Sequence, residues 1–233
     1  MKRLHDSLWI QDDDGTMAGL RLRRRATVVQ LAGGGLWVYS PTPLSPSLQS
    51  ELASIDDVAY LVSPNNGHGS WIGDWANAYP SAEMHVAKGI PSKFSKLRVD
   101  RILTPTVEAR WALDLEQSTM VGAPLFDESV FLHKASRSLI VADLIQNHNR
   151  KDQRGVGKLI ARFASEPQGY KGLCLAHQLK RAGTIEDREA FSEFLETIEG
   201  WDFDRIIVAH GDVVEGRARS TLSDLLRDIH EGS

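Results

Sequence analysis

The 233-residue chain contains a single cysteine, Cys174. An intramolecular disulfide and a cysteine-built zinc site are therefore excluded. Cys174 lies in Leu173-Cys174-Leu175-Ala176, a setting expected for a buried structural thiol rather than a reactive nucleophile. No apolar stretch approaches the ~18 residues needed to span a bilayer, so no membrane partner is expected. Met1 to Asp6 lead on to Asp12-Asp13-Asp14 without an apolar core. An export signal needs such a core, so a cytoplasmic location is expected. Excess positive charge is missing as well. The 27 Lys and Arg against 31 Asp and Glu give a formal charge of -4, and no electrostatic case for a nucleic-acid partner. The one basic cluster, Arg21-Leu22-Arg23-Arg24-Arg25, reads as the solvated face of an early strand or turn. Internal repeats and low-complexity linkers are lacking too, so one domain spanning 1–233 is expected.

What is present is an ordinary globular balance, 42% hydrophobic and 25% charged, which argues against disorder. Ser7–Gln11 and Thr27–Leu31 read as strands. Gly33-Gly34-Gly35 turns the chain into Leu36–Tyr39, giving a hairpin. No Lys-Ser/Thr follows these glycines, so they are a turn rather than a phosphate loop. Ser45 or Ser47 is placed to cap a helix through Leu48, Leu52 and Ile55. Val58–Val62 reads as a buried strand. After a polar loop, Trp71, Trp75 and Ala78 recur at helical spacing, and Glu83–Ala87 returns as a strand. Strand, loop, helix and strand in this order make a βαβ unit and a parallel pairing.

In the second half, Ser129–His133 and Ser138–Ala142 are strands around Lys134–Arg137. Lys151–Ser165 shows a helical face of Val156, Leu159, Ile160 and Phe163. Thr184, with Asp187 three residues on, reads as the cap of a helix burying Phe191, Phe194, Leu195 and Ile198. Arg205–Ala209 is a strand, and Ser220–His230 closes the chain as a helix.

Three strand ends carry metal-ligand residue types: His68, Asp143 and His210. Function in layered α/β folds collects at the carboxyl ends of strands. Two imidazoles and a carboxylate suit Zn, Mn or Fe. Each residue taken singly also fits a loop histidine bonding to backbone or an aspartate closing a turn. Glu128, Asp127 and Asp212 are further carboxylates expected near the mouth, one of them a candidate general base. His148 and His177 are second-rank site histidines. His5, His85, His133 and His230 read as surface or strand-edge residues. Ser70, two residues beyond His68, is a weak nucleophile candidate, since a nucleophilic serine needs a base with an orienting acid.

These pieces resemble the metallo-β-lactamase fold. Trp201–Arg205 leading to strand-His210-Gly211-Asp212 is similar to its terminal strand-His-Gly signature. Leu139–Leu144 resembles its strand-ending aspartate. Ser63-Pro64-Asn65-Asn66-Gly67-His68, a tryptophan-containing helix and Tyr79-Pro80 resemble its first metal loop. With Gly35–Pro41 and Gly122–Glu128, the combination is similar to the DUF4336 branch, from about Leu8 to about Asp212. The resemblance implies an α/β four-layer αββα sandwich, with two mixed sheets face to face and helices outside. The superfamily's His-x-His-x-Asp-His loop falls on Asn66, His68, Ser70 and Trp71, and its mid-chain histidine falls near Leu125. The metal motif is therefore degenerate, and the ring of Trp71 is placed to fill vacated metal volume.

Two functions follow. One is a mononuclear metal-dependent hydrolase of an ester, lactone, thioester or phosphodiester. It would use one Zn, Mn or Fe ion on His68, Asp143 and His210, with Asp143 and His210 catalytic and Asn66, Ser70, Trp71, Glu128 and His148 around the pocket. The other is a metal-free pseudo-hydrolase that binds a small ligand or a protein.

Overall fold

The computed structural model describes residues 1–17, 20–124, 126–153, 157, 172–176, 179 and 184–231. Seven strands form the first sheet in sequential order. They are β1 (Lys2–His5), β2 (Leu8–Met17), β3 (Leu20–Gln30), β4 (Leu36–Tyr39), β5 (Val58–Ser63), β6 (Glu83–Val86) and β7 (Arg101–Ile102). The first four pair antiparallel, and β4 to β7 pair parallel. The parallel run requires crossovers. These are supplied by α1 (Pro46–Ala53) and α2 (Ile72–Ala78), with the short α3 (Ile90–Lys93) before β7. Ser45 caps α1 by accepting the Leu48 amide at 3.2 Å.

The second sheet runs β14-β13-β10-β9-β8, from β8 (Leu115–Thr119), β9 (Ser129–His133), β10 (Ser138–Val141), β13 (Arg205–Val208) and β14 (Val214–Glu215). Its one parallel pair is β10 with β13. A separate ribbon joins β11 (Ile145–His148) to β12 (Gly172–Leu175). Helices α4 (Arg188–Glu199) and α5 (Ala218–Glu231) lie in the last quarter of the chain.

The apolar runs of the central strands are divided between two cores by the period of two along a strand. In β4, Trp37 and Tyr39 join a core shared by both sheets, and Leu36 and Val38 face α1 and α2. In β10 and β13, Ile140 and Ile207 point into the shared core, while Leu139, Val141, Ile206 and Val208 meet α4 and α5. Three cores thus separate four layers, helix–sheet–sheet–helix, as the resemblance implies. Gly35 shows how tight the turn into β4 is. Its φ is +83°, and a Cβ there would run into Ala59.

The long β2–β3 hairpin departs from the sequence reading. Asp12, Asp13 and Asp14 lie opposite Arg25, Arg24 and Arg23, so the basic cluster is half of a cross-strand charge ladder. Arg25 is only 3% exposed. It spans Asp12 and the Val208 carbonyl, the latter at 2.9 Å.

Other expectations also change. His85 and His133 are buried rather than at the surface. His85 packs on Trp111 with ring centroids 4.7 Å apart, and His133 sits between the hydroxyls of Ser7 and Ser136. Cys174 is half-buried. The cap of α4 is Asp187, which accepts the Ala190 amide at 3.0 Å; Thr184 precedes it, because Glu186 and Asp187 first bond to the Gly122 carbonyl. Ile55 lies beyond the end of α1. The helix expected over Lys151–Ser165 lies largely outside the described residues, and Arg150–Asp152 forms a 3-10 turn. Among the described residues, no helix is long and apolar enough to cross a membrane.

Candidate metal centre

The register of the second sheet places two of the three candidate ligands side by side. Val141 of β10 is paired with Val208 of β13 in the parallel ladder, and Asp143 and His210 each follow two residues later. His68 comes from the other sheet, in the loop after β5. The three side chains converge, with one ligand atom from each all within 4.8 Å of one another. His68 Nε2 is 3.2 Å from Asp143 Oδ2, and His210 Nε2 is 3.3 Å from Asp143 Oδ1.

The outer nitrogens of both imidazoles are held as well. His210 Nδ1 lies 3.0 Å from the backbone oxygen of Arg23, and His68 Nδ1 lies 2.6 Å from Ser40 Oγ. Such outer partners orient metal-binding histidines and fix their tautomers. A carbonyl oxygen only accepts, so His210 Nδ1 carries the proton. Its Nε2 lone pair then faces a carboxylate oxygen, and either a second proton or a cation must lie between them. Burial by itself would lower the His210 pKa and raise that of Asp143. Their mutual attraction outweighs burial, raising the imidazole and, with His68, holding the carboxyl well below its usual range. Two imidazole nitrogens and one carboxylate, with both outer nitrogens secured, fit a divalent ion with open positions.

Asn65 links the two sides of this site, and sequence reading passed over it in favour of Asn66. The Asn65 Oδ1 accepts the amides of Gly67 at 2.8 Å and His68 at 3.1 Å, which shapes the loop. Its Nδ2 donates to Asp143 Oδ2 at 2.9 Å and to Glu128 Oε2 at 3.1 Å. The signal was local: an Asn two residues before a Gly suits a turn closed by its own side chain. Asn66 instead packs its amide against Gly89.

Glu128 is fully buried and does not line a mouth. It accepts the amides of Ala142 at 2.8 Å, Asp143 at 2.8 Å and Leu144 at 3.0 Å. Burial and the nearby Asp143 push its pKa up to about 7 despite these bonds. It lies beneath Asp143, bonded to the backbone amides that carry it.

Of the remaining predicted residues, His148 and Asp212 lie beside His210 and its hairpin, and Ser70 and Trp71 lie apart. Ser70 is exposed, and the hydroxyl on His68 is that of Ser40. Trp71 is half-buried against the α1–α2 side, with the Arg24 guanidinium 4.3 Å above its ring. His148 is buried and stacked on His210 at 6.1 Å. Burial, then His210, pushes its pKa down to about 4. Asp212 forms a 2.5 Å ion pair with Arg23, and burial raises the Asp127 pKa even though the Lys88 and Gly89 amides oppose it. His177 and Leu125 lie outside the described residues.

The profile of the family described as "Domain of unknown function (DUF4336)" matches residues 5–154, more than half of the sequence. The chain belongs to the DUF4336 family. No curated protein matches it. Among solved structures, this DUF4336 chain is similar to a metallo-β-lactamase from Pontibacter korlensis. That match has a TM-score of 0.61 at 11% identity and covers 97% of this chain and 98% of that one. A metallo-β-lactamase from Hirschia baltica matches with a TM-score of 0.58, 11% identity, and 97% and 94% coverage. The flavodiiron protein of Giardia intestinalis matches with a TM-score of 0.64 and 12% identity over 97% of this chain, which spans 58% of that longer protein. The DUF4336 chain therefore has the metallo-β-lactamase fold.

Proposed function

We propose that this DUF4336 protein is a mononuclear metal-dependent hydrolase of an ester, lactone, thioester or phosphodiester. The observation that carries the reading is that both imidazoles turn Nε2 onto one carboxylate while protein oxygens hold Nδ1. The similarity to proteins named metallo-β-lactamases supports the hydrolytic class. The similarity to a flavodiiron protein shows that the fold does not select it unaided.

His68 Nε2, His210 Nε2 and Asp143 would be the ligands. A divalent ion held there would supply Lewis acidity toward a substrate oxygen or water at neutral pH. Asn65 secures Asp143 Oδ2. Asp143 Oδ1 receives only a long 3.4 Å contact from Gln146 besides His210, so Oδ1 is the freer oxygen to meet an ion. Glu128 keeps the Ala142–Leu144 backbone, and so the Asp143 carboxyl, in place. His148, neutral at pH 7, covers one face of the His210 ring.

The test is hydrolysis of p-nitrophenyl acetate, a thioester, a lactone and bis-p-nitrophenyl phosphate, by chelator-treated protein with and without added Zn, Mn or Fe. The reading predicts metal-restored turnover of at least one class, abolished by Asp143→Asn. Turnover indifferent to metal and to Asp143→Asn, or no turnover of any class, contradicts it and favours a ligand-binding role.

A further inference from the structure

Ser40 immediately follows β4 and is the outer partner of His68. It is 3% exposed, and its Oγ is 2.6 Å from His68 Nδ1. Its φ is 55°, a left-handed backbone that costs a serine free energy and glycine almost none. The backbone there is secured independently of the hydroxyl, because the Ser40 amide donates to the Val62 carbonyl at 2.9 Å. A hydroxyl in a disfavoured backbone, buried against a candidate ligand, points to a role for the side chain itself.

The two outer partners differ in chemistry. The Arg23 oxygen only accepts, so His210 has one tautomer. A serine hydroxyl both donates and accepts by rotating its hydrogen. We propose that Ser40 is a positioning residue whose hydroxyl sets the tautomer of His68 and thereby tunes metal affinity, a role that rests on the metal-binding reading above. In the metal-free protein Ser40 Oγ–H donates to His68 Nδ1, and His68 Nε2–H donates to Asp143 Oδ2. In the loaded protein His68 Nδ1–H donates to Ser40 Oγ, and the Nε2 lone pair is free for the ion. The exchange needs one hydroxyl rotation and the relocation of the ring proton from Nε2 to Nδ1 by way of solvent, with no net gain or loss of protons and no change in the position of any heavy atom. A fixed acceptor such as a carboxylate or carbonyl could not serve the metal-free state in this way.

Ser40→Gly separates this role from a structural one, since glycine takes the left-handed backbone freely and removes only the hydroxyl. Zinc is titrated into wild type, Ser40→Gly and Ser40→Ala against a chromophoric chelator. The His68 ring nitrogens are followed by long-range 15N–1H spectra. The expected result is a ~10–100-fold weaker zinc Kd for both variants, typical for loss of an outer partner, with metal-free Ser40→Gly melting within about 3 °C of wild type. His68 Nδ1–H should be visible only in the loaded wild type. Equal zinc affinity in wild type and both variants, or a bare Nδ1 in loaded wild type, overturns the role of Ser40 while leaving the metal centre intact. Metal-free Ser40→Gly that is unfolded or melts far below wild type shows that Ser40 is structural. Failure of wild type itself to bind zinc instead removes the metal centre, and the role of Ser40 with it.

Discussion

The Nδ1 atom of His210 lies 3.0 Å from the backbone oxygen of Arg23. A candidate ligand near the end of the chain is therefore oriented by a hairpin near its beginning. Arg25 of the same hairpin bonds to the Val208 carbonyl in the strand that leads to His210. Gln153 grips the amide and carbonyl of Arg21 at 2.9 and 2.8 Å, and Arg23 pairs with Asp152 and Asp212. The hairpin thus forms one wall of the site.

Arg25→Lys should weaken this wall. An ammonium cannot span both the Asp12 carboxylate and the Val208 carbonyl as the planar guanidinium does. Asp12 is partly exposed, so the loss is expected at about 1–3 kcal/mol rather than the larger cost of a wholly buried pair. Urea unfolding of the two proteins measures it.

Glu128→Gln replaces an acceptor of three backbone amides with a group that has one acceptor oxygen and an NH2. Buried amides left without a partner make the expected cost about 2–4 kcal/mol. Metal affinity should fall as well, because the backbone that aims Asp143 loses its support. A melting curve and a metal titration on the same sample check both.

Gly211→Ala should misplace His210. Gly211 has φ +103°, and a Cβ there would be built into the Asn147 carbonyl oxygen. The strained backbone and the clash act on the residue next to the candidate ligand. The expected outcome is a lower melting temperature together with loss of metal binding, whereas Gly216→Ala, with open space around it, should keep metal binding.

His133, at the opposite end of β9 and β10 from the candidate metal centre, is expected to give stability a pH dependence. Burial, then repulsion from His5, pushes its pKa down to about 4. The folded state thus favours the neutral ring, and the unfolded chain binds the extra proton. The contribution is complete above the unfolded value of about 6.5 and is lost as pH falls from there toward about 4, by up to roughly 3 kcal/mol. Urea midpoints between pH 7.5 and 4.5 in chelator should fall for wild type, with a shallower slope for His133→Gln.

The layered architecture was legible because Leu139–Ala142 and Ile206–Ala209 are short apolar runs ending in polar residues. Such runs mark strands buried on both faces, and their ends marked Asp143 and His210. The supports were hidden for physical reasons. Ser40, Asn65 and the Arg23 carbonyl reach the site through long-range pairing, and a backbone carbonyl has no sequence signature. Glu128 looked like any loop carboxylate until the packing placed it under Asp143. Asp12–Asp14 and Arg21–Arg25 form a ladder only once the hairpin register is known. His85 and His133 follow the alternation of their strands into the interior, where polar residues are hard to foresee.

The central claim is that His68, Asp143 and His210 together hold one divalent ion. The direct measurement is equilibrium titration of chelator-treated protein with Zn, Mn and Fe(II), read by elemental analysis after gel filtration. One equivalent of at least one metal on wild type, and none on Asp143→Asn or His210→Ala, is the predicted result. Less than half an equivalent of every metal on folded wild type would contradict the account.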